Sequence, residues 1–265
     1  MIDVVWFSFI QGITEFLPVS SSGHLFIFSN LFSLQSVSRS TEVTLNLATL
    51  AVTIVFFRAE LKNQIIGAFK AISGKVSSSF HDALKICVAT IPVVCVGFLV
   101  HRYLDHLTHS FVLFGLGSIL FGILMIVVDK TSMSSKTYSS ISYKDAFLMG
   151  CAQTLAFIPG ASRLGTSLTI GRILGYKSAD AAKFSFLTSI PIGIGAVTLM
   201  IKDWAHSSFL QIRFDFFIVS VICFATGFFT LYFFMWWLKK RTLLVWGLYR
   251  ILLGLFILYY FNVFF

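Results

Sequence analysis

A short stretch near the start of the chain carries groups that could perform acid–base or nucleophilic chemistry. Residues 11–24 read Gln-Gly-Ile-Thr-Glu-Phe-Leu-Pro-Val-Ser-Ser-Ser-Gly-His within an otherwise apolar segment. They supply one carboxylate, three consecutive hydroxyls and one imidazole, which belong to Glu15, Ser20, Ser21, Ser22 and His24. An ionisable group at bilayer depth is costly and is retained where it is used. The stretch therefore predicts a functional site, and Gln11 lies one helical turn before Glu15, on the same face.

A second stretch repeats this plan but ends on a cation. Residues 157–167 read Phe-Ile-Pro-Gly-Ala-Ser-Arg-Leu-Gly-Thr-Ser. Each stretch places small and hydroxyl residues at the start of an apolar helix, where free N–H groups and the helix dipole bind anions. The guanidinium of Arg163 matches phosphate oxygens. We expect the two stretches to meet and bind a phosphate through Ser20, Ser21, Ser22, Ser162 and Arg163.

The residue types leave several roles open. In an apolar site Glu15 either pairs with Arg163, binds a divalent cation or acts as a general base. His24 is either the partner of a nucleophilic hydroxyl or a hydrogen-bonding strut. Arg172 either reaches a phosphate or extends to the membrane surface.

The composition indicates a polytopic membrane protein. Of the 265 residues, 57% are hydrophobic and 12% are charged, whereas soluble domains are about 45–50% apolar and about 25% charged. The net charge of +9 would suggest a nucleic-acid partner in a soluble protein. Basic residues also collect in the cytoplasmic loops of membrane proteins, so we expect no nucleic-acid partner.

Two breaks interrupt the apolar segments. Pro18 precedes a serine and glycine run, and Pro159 precedes Gly160, so neither stretch continues a helix. Non-helical backbone at membrane depth is tolerated where it is buried in protein or lines a cavity. Residues 2–28 and 146–174 are therefore predicted as re-entrant helix pairs, with an ordinary kinked span as the alternative for 146–174. Six full spans are predicted at residues 44–57, 86–100, 111–128, 184–201, 216–238 and 243–263.

The basic residues predict the orientation. With the first re-entrant pair entering from outside, four basic residues lie in outer connectors: Arg39, Arg102, Lys202 and Arg213. Thirteen lie in inner loops: Arg58, Lys62, Lys70, Lys75, Lys85, Lys130, Lys136, Lys144, Lys177, Lys183, Lys239, Lys240 and Arg241. The positive-inside rule favours this arrangement. Residues 1–128 and 146–263 then form an inverted-topology repeat within one membrane domain, the plan by which transporters place a site at the bilayer midplane.

The two stretches resemble the motifs of the undecaprenyl-diphosphate phosphatases, the bacitracin-resistance family. Residues 11–25 match the first motif, and Pro159-Gly160-Ala161-Ser162-Arg163 begins the second. The resemblance implies an enzyme that removes the terminal phosphate of undecaprenyl diphosphate, recycles the carrier lipid of peptidoglycan synthesis and confers bacitracin resistance. It also implies an all-α fold of six spans plus two re-entrant pairs in the bacterial inner membrane. The site and both termini would face the periplasm, and a divalent cation, Mg²⁺ or Ca²⁺, would be required.

The resemblance and the residue types together predict residue roles. Glu15, Ser21, His24 and Arg163 would be catalytic, with Ser21 as the favoured nucleophile and His24 assisting it. Gln11, Ser20, Ser22, Ser162 and Arg163 would bind substrate, and Glu15, with Gln11, would hold the metal. The chain departs from the family where Gln11 is uncharged, where Leu164 replaces a serine and where Ser167 replaces a threonine. The first departure removes one possible metal carboxylate, and the other two reduce the polar contacts at the end of the second motif.

A transporter or flippase for a polyprenyl phosphate is the second hypothesis, because broken helices in an inverted repeat are typical of carriers. The hydroxyl, imidazole and carboxylate at residues 15–24 favour the phosphatase, since a carrier needs no activated nucleophile. The two functions are compatible in one protein. The expected partners are the substrate lipid and membrane lipids. The sequence leaves the oligomeric state open, and a homodimer is one of the alternatives.

Overall fold

The computed structural model describes residues 2–32, 38–103, 110–133, 135–206 and 214–261, and these residues fold into α-helices. The helices are α1 (Ile2–Thr14), α2 (Ser21–Leu31), α3 (Arg39–Phe56), α4 (Arg58–Ile72), α5 (Ser78–Tyr103), α6 (Phe111–Thr131), α7 (Tyr143–Thr154), α8 (Arg163–Ile173), α9 (Ser178–His206), α10 (Phe214–Lys240) and α11 (Leu244–Tyr260). Arg213 and the side chains of Arg39 and Arg102, assigned above to outer connectors, lie outside the described residues.

The chain reverses direction at both predicted breaks. Helices α1 and α2 form a hairpin, because the ring of Phe7, early in α1, lies 5.7 Å from that of Phe28, late in α2. Helices α7 and α8 form a second hairpin, because Tyr176, just after α8, donates a hydrogen bond of 2.6 Å to Asp145 in the first turn of α7. These helices contain 11 to 13 residues, fewer than the roughly 20 that a crossing needs.

Each of the six predicted spans corresponds to one helix, and the chain is an all-α polytopic membrane protein. Span 44–57 ends one residue after α3, and span 243–263 begins one residue before α11 and ends outside the described residues. Within the described residues, four helices are long and apolar enough to cross a membrane: Ser78–Val100, Phe111–Thr131, Ser178–Lys202 and Phe216–Lys240. Helices α3 and α4 qualify together but are bent by 76°. Helix α11 has 17 residues, the lower limit for a span. The count of six crossings therefore stays a prediction.

The helices of the two halves interlock. Helix α1 lies along α10, where a Cβ at Gly12 would meet Thr226 and the carbonyl of Cys223. Helix α7 lies along α5, where a Cβ at Gly150 would meet the carbonyl of Ala89. The first helix of each hairpin thus packs on the middle span of the other half. Pseudo-two-fold symmetry between the halves would make these two contacts equivalent, but the repeat itself stays a prediction.

The largest apolar core joins both breaks to α9. It includes Phe16 and Leu17 from the first break, Leu164 and Leu168 from α8, and Phe186 from α9, all buried. The rings of Phe16 and Phe186 lie 6.1 Å apart. This packing holds the polar residues of the two breaks in fixed positions.

Candidate active site between the two breaks

The two breaks meet, as predicted. The Nη2 atom of Arg163 lies 3.9 Å from Oε1 of Glu15. A Cβ at Gly165, in the first turn of α8, would lie 3.5 Å from the carbonyl oxygen of Pro18. A carboxylate and a guanidinium from distant parts of the sequence therefore share one site.

The first break combines a helix end with a strained helix start. The N–H of Glu15 still donates to the carbonyl of Gln11 at 2.9 Å, so Glu15 completes the last turn of α1. Ser20 caps α2 with φ of 71° and makes no side-chain capping bond. It is the one non-glycine residue with positive φ in the described ranges, a conformation that costs roughly 1–3 kcal/mol. Helix α2 begins at Ser21, directly after Ser20.

Glu15 accepts two hydrogen bonds on one oxygen. Ser21 donates its hydroxyl to Oε2 at 2.5 Å, and Gln11 donates its amide to the same oxygen at 3.0 Å. The other oxygen faces Arg163. The Glu15 side chain is 23% exposed and lines a cavity between α3 and α9. The bond from Ser21 is short and is assisted by the charge of the carboxylate. Glu15 can therefore accept the proton of Ser21.

Both ring nitrogens of His24 make hydrogen bonds away from Ser21. The Nδ1 atom lies 2.7 Å from the carbonyl oxygen of Ser20, and Nε2 lies 2.6 Å from the hydroxyl of Tyr249. The His24 and Tyr249 rings stack, with centroids 5.8 Å apart. The predicted assistance of Ser21 by His24 therefore has no direct hydrogen bond behind it, and the strut alternative fits these contacts. The sequence did not single out Tyr249.

The second break presents Arg163 to the cavity. Ser162 caps α8, and its Oγ accepts a hydrogen bond from the N–H of Gly165 at 3.2 Å. Arg163 is the first residue of α8, and its guanidinium donates to no protein acceptor within the described ranges. Its N–H groups are thus available to an anion. Ser22 is exposed at the first break, whereas Ser20 is buried.

A cavity opens beside Glu15 and Arg163, between α3 and α9. Its polar lining comes from Asn46, Thr49, Thr53, Ser185 and Ser189, and its apolar lining includes Leu50, Gly193, Ala196 and Val197. Several hydroxyls on this lining donate to carbonyls of their own helices, as Thr49, Thr53 and Ser189 do. The sequence did not indicate this wall, because hydroxyls in apolar helices commonly bond the backbone one turn earlier.

Two further arginines, in α8 and α11, are buried. Arg250 is 1% exposed and donates to the carbonyls of Pro18 at 3.0 Å and Gly160 at 2.7 Å. Arg172 pairs with Asp129 at 3.2 Å, so it neither reaches the cavity nor extends to the surface. A buried intramembrane arginine is itself a signal of function or structure, and this signal could have identified Arg250.

These features define a polytopic membrane protein in which a carboxylate, a hydroxyl and a guanidinium meet between two interrupted helices. A family model described as bacitracin resistance protein BacA matches residues 4–256, and the chain belongs to this family. It is 33% identical over 257 residues to the undecaprenyl-diphosphatase of Saccharophagus degradans, covering 96% of each chain. It is 34% identical over 253 residues to the undecaprenyl-diphosphatase of Roseobacter denitrificans, covering 95% of each. The undecaprenyl-diphosphatase of Alteromonas mediterranea is 30% identical over 261 residues, covering 98% of each.

Proposed function

We propose that this protein is an undecaprenyl-diphosphate phosphatase, which releases the terminal phosphate and leaves undecaprenyl phosphate. The family and the names of its relatives support this substrate. The observation that carries the proposal is the hydrogen bond of 2.5 Å from Ser21 to Glu15, beside an arginine with free donors. The cavity lined by Glu15 and Arg163 has both polar and apolar side chains in its wall. Such a lining suits a substrate with a diphosphate group and a hydrocarbon chain.

The reaction proceeds in two steps in this proposal. Ser21 Oγ attacks the terminal phosphorus while its proton passes to Glu15, and the P–O bond to the lipid monophosphate breaks. Arg163 and the N–H groups at the start of α8 stabilise the charge on the transferred phosphoryl group. Glu15 gives its proton to the departing lipid phosphate. It then accepts a proton from the water that hydrolyses phosphoserine, and finally returns that proton to Ser21. Direct attack by water activated by Glu15 is the alternative.

A divalent cation shared with the substrate would be held by a single carboxylate, because the described residues contain no cluster of three or more His, Cys, Asp or Glu side chains. Mg²⁺ is commonly held by one or two carboxylates together with substrate phosphates and waters. Glu15, which lines the cavity, would supply this carboxylate. Asn46 donates its amide N–H to the carbonyl of Glu42 at 2.9 Å, which leaves its amide oxygen as an acceptor. Gln11 uses its amide N–H on Glu15. A bound cation would neutralise charge on the diphosphate oxygens.

The proposal includes the setting of the reaction. The enzyme would lie in the bacterial inner membrane, with both termini and the cavity on the periplasmic side, and would return carrier lipid to peptidoglycan synthesis. The excess of basic residues in the assigned inner loops supports this orientation. Neither the sequence nor the contacts within one chain determine whether the protein forms a homodimer.

Phosphate release from undecaprenyl diphosphate by purified protein, with and without EDTA, tests the function. We expect Ser21→Ala, Glu15→Gln and Arg163→Ala each to lower the rate by roughly 10² or more. Ser29→Ala is the matched control, because Ser29 lies on α2 and bonds only the carbonyl of Phe26. Substrate labelled with ³²P in the terminal phosphate, quenched during turnover, should label Ser21. Turnover without this label would favour direct attack by water.

A carrier without phosphatase activity is the competing function, and the cavity between α3 and α9 is the observation that favours it. Lipid binding by the wild-type protein, without any phosphate release, would establish the carrier and remove the roles given to Ser21 and Glu15.

A further inference from the structure

We infer that Tyr249 is a positioning residue for the reaction, acting through His24 and the backbone of Ser20 on the nucleophile Ser21. The inference rests on the proposed phosphatase function and adds a residue on α11 to its machinery.

The hydrogen bonds determine which nitrogen of His24 carries the proton. The carbonyl oxygen of Ser20 can only accept, so Nδ1 at 2.7 Å is the donor. In the neutral imidazole Nε2 is then an acceptor, and the Tyr249 hydroxyl at 2.6 Å donates to it. The parallel ring stacking, with an interplanar angle of 8°, fixes the ring plane as well. Tyr249 therefore selects the tautomer in which Nδ1 can hold Ser20.

The bond to Ser20 acts on strained backbone. Ser20 has φ of 71° and ψ of 93°, and its side chain makes no capping bond that would stabilise this conformation. The hydrogen bond from His24 to the Ser20 carbonyl holds the peptide that joins Ser20 to Ser21. The orientation of that peptide sets where the Ser21 hydroxyl points, and Glu15 lies 2.5 Å away from it. His24 thus acts as a donor to the backbone rather than as the base for Ser21.

Two substitutions of His24 separate these roles. The amide nitrogen of asparagine reproduces the position of Nδ1, whereas that of glutamine reproduces Nε2. The chain shows that asparagine in a helix reaches the carbonyl four residues earlier, since Asn30 bonds Phe26 at 2.7 Å and Asn46 bonds Glu42 at 2.9 Å. We therefore expect His24→Asn to be about tenfold more active than His24→Gln. Equal losses of roughly 10²–10⁴ in both variants would identify His24 as a base and overturn the inference.

A double-mutant cycle tests whether Tyr249 acts through His24. Tyr249→Phe keeps the stacked ring and removes the hydroxyl, so we expect kcat to fall by up to about tenfold while KM stays near the wild-type value. In the His24→Asn background, where no Nε2 exists, Tyr249→Phe should have no further effect. An equal effect in both backgrounds, or no effect in either, would contradict the inference. Tyr259→Phe, on the same helix and 76% exposed, is the control.

Histidine ¹⁵N NMR of the purified protein gives a readout that does not depend on turnover. The His24 resonances are assigned by their loss in His24→Asn. We expect wild type to show a protonated Nδ1 and an Nε2 resonance that shifts in Tyr249→Phe but not in Tyr259→Phe. A wild-type His24 with a protonated Nε2 and an unprotonated Nδ1 would overturn the inference. Absence of phosphate release by wild type would instead refute the phosphatase function and leave the tautomer result standing.

Discussion

Arg250 donates a hydrogen bond of 2.7 Å from Nη2 to the carbonyl oxygen of Gly160, which ties the last helix to the second break. Its Nη1 donates to the carbonyl of Pro18 at 3.0 Å. One buried guanidinium thus connects the two breaks directly, whereas Glu15 and Arg163 face each other across 3.9 Å. The two carbonyls need this partner, because the breaks interrupt the helical ladders that would otherwise satisfy them.

Replacement of Arg250 by methionine should destabilise the protein and separate the breaks. Both carbonyls would lose a charged donor, and a buried acceptor without a partner costs about 1–3 kcal/mol. We expect a lower melting temperature in detergent and a loss of phosphate release. Arg250→Lys should lie between wild type and methionine, because one ammonium cannot reproduce the planar fork. Arg241→Met removes an exposed arginine after α10 and should change neither quantity. A stable, active Arg250→Met protein would refute the connecting role.

Gly160 and Gly74 offer a comparison of two glycines with the same backbone conformation. Their φ angles are 82° and 80°, so alanine at either position costs about 1–2 kcal/mol for the left-handed conformation. A Cβ at Gly160 would also meet the carbonyl of Phe114 and lie 2.7 Å from the N–H of Ser118, whereas a Cβ at Gly74 has open space.

Gly160→Ala should therefore lower the free energy of unfolding by roughly 1–3 kcal/mol more than Gly74→Ala, the usual cost of overpacking. It should also lower activity, since the carbonyl of Gly160 would move away from Arg250. Thermal unfolding and phosphate release of the two variants measure both effects. Equal effects of the two substitutions would show that α6, which carries Phe114 and Ser118, moves to accommodate the added Cβ without a measurable cost.

The sequence predicted the breaks and their meeting because local chemistry decides both. Pro18 and Pro159 interrupt helices because glycine and serine residues follow them, whereas Pro92 and Pro191, in apolar surroundings, lie inside α5 and α9. A carboxylate and a guanidinium in apolar segments are each costly alone, so they are expected to pair. The hydrogen bond of Gln11 to Glu15 followed from helical spacing alone. These features depend on nearest neighbours along the chain and on the low dielectric of the membrane.

The contributions of α11 and of the cavity wall could not be predicted in the same way. Tyr249 and Arg250 reach the breaks only through tertiary packing, and neither has a spacing pattern that indicates its partner. The Ser20 conformation, and the turning of His24 toward Tyr249, depend on contacts more than 200 residues apart in sequence. A histidine one turn after a serine predicted an activated pair, but the tertiary hydrogen bonds engage both of its nitrogens elsewhere.

Asn46→Asp should change the response to the cation. The substitution places a second carboxylate on the wall that Glu15 shares, where it would add a hard oxygen ligand but repel the diphosphate. We expect half-maximal activity at a lower Mg²⁺ concentration and a larger loss of substrate affinity when EDTA is present. Asn63→Asp makes the same change of charge on the exposed face of α4 and should match wild type. An unchanged Mg²⁺ requirement in Asn46→Asp would place the cation away from this wall.

The loop after α8 should lose stability at acid pH. Burial opposes ionisation of Asp145, but hydrogen bonds from Tyr176 and Ser142 and the charge of Lys136 together hold the pKa of its carboxyl below the ordinary value of 3.8. A lowered pKa in the folded protein means that this contribution is complete above the unfolded value and disappears as the pH falls through the folded value.

Tyr176→Phe removes the hydroxyl that donates to Asp145 at 2.6 Å, so it should lower the melting temperature by a constant amount near neutral pH. The difference from wild type should shrink as the pH falls below about 4, where the carboxyl gains its proton in both proteins. Melting curves between neutral and acid pH measure this, with Tyr232→Phe, 64% exposed on α10, as the control. A difference that stays constant into acid would mean that the hydroxyl acts through the carbonyl of Ser140, 3.2 Å away, and not through the carboxylate.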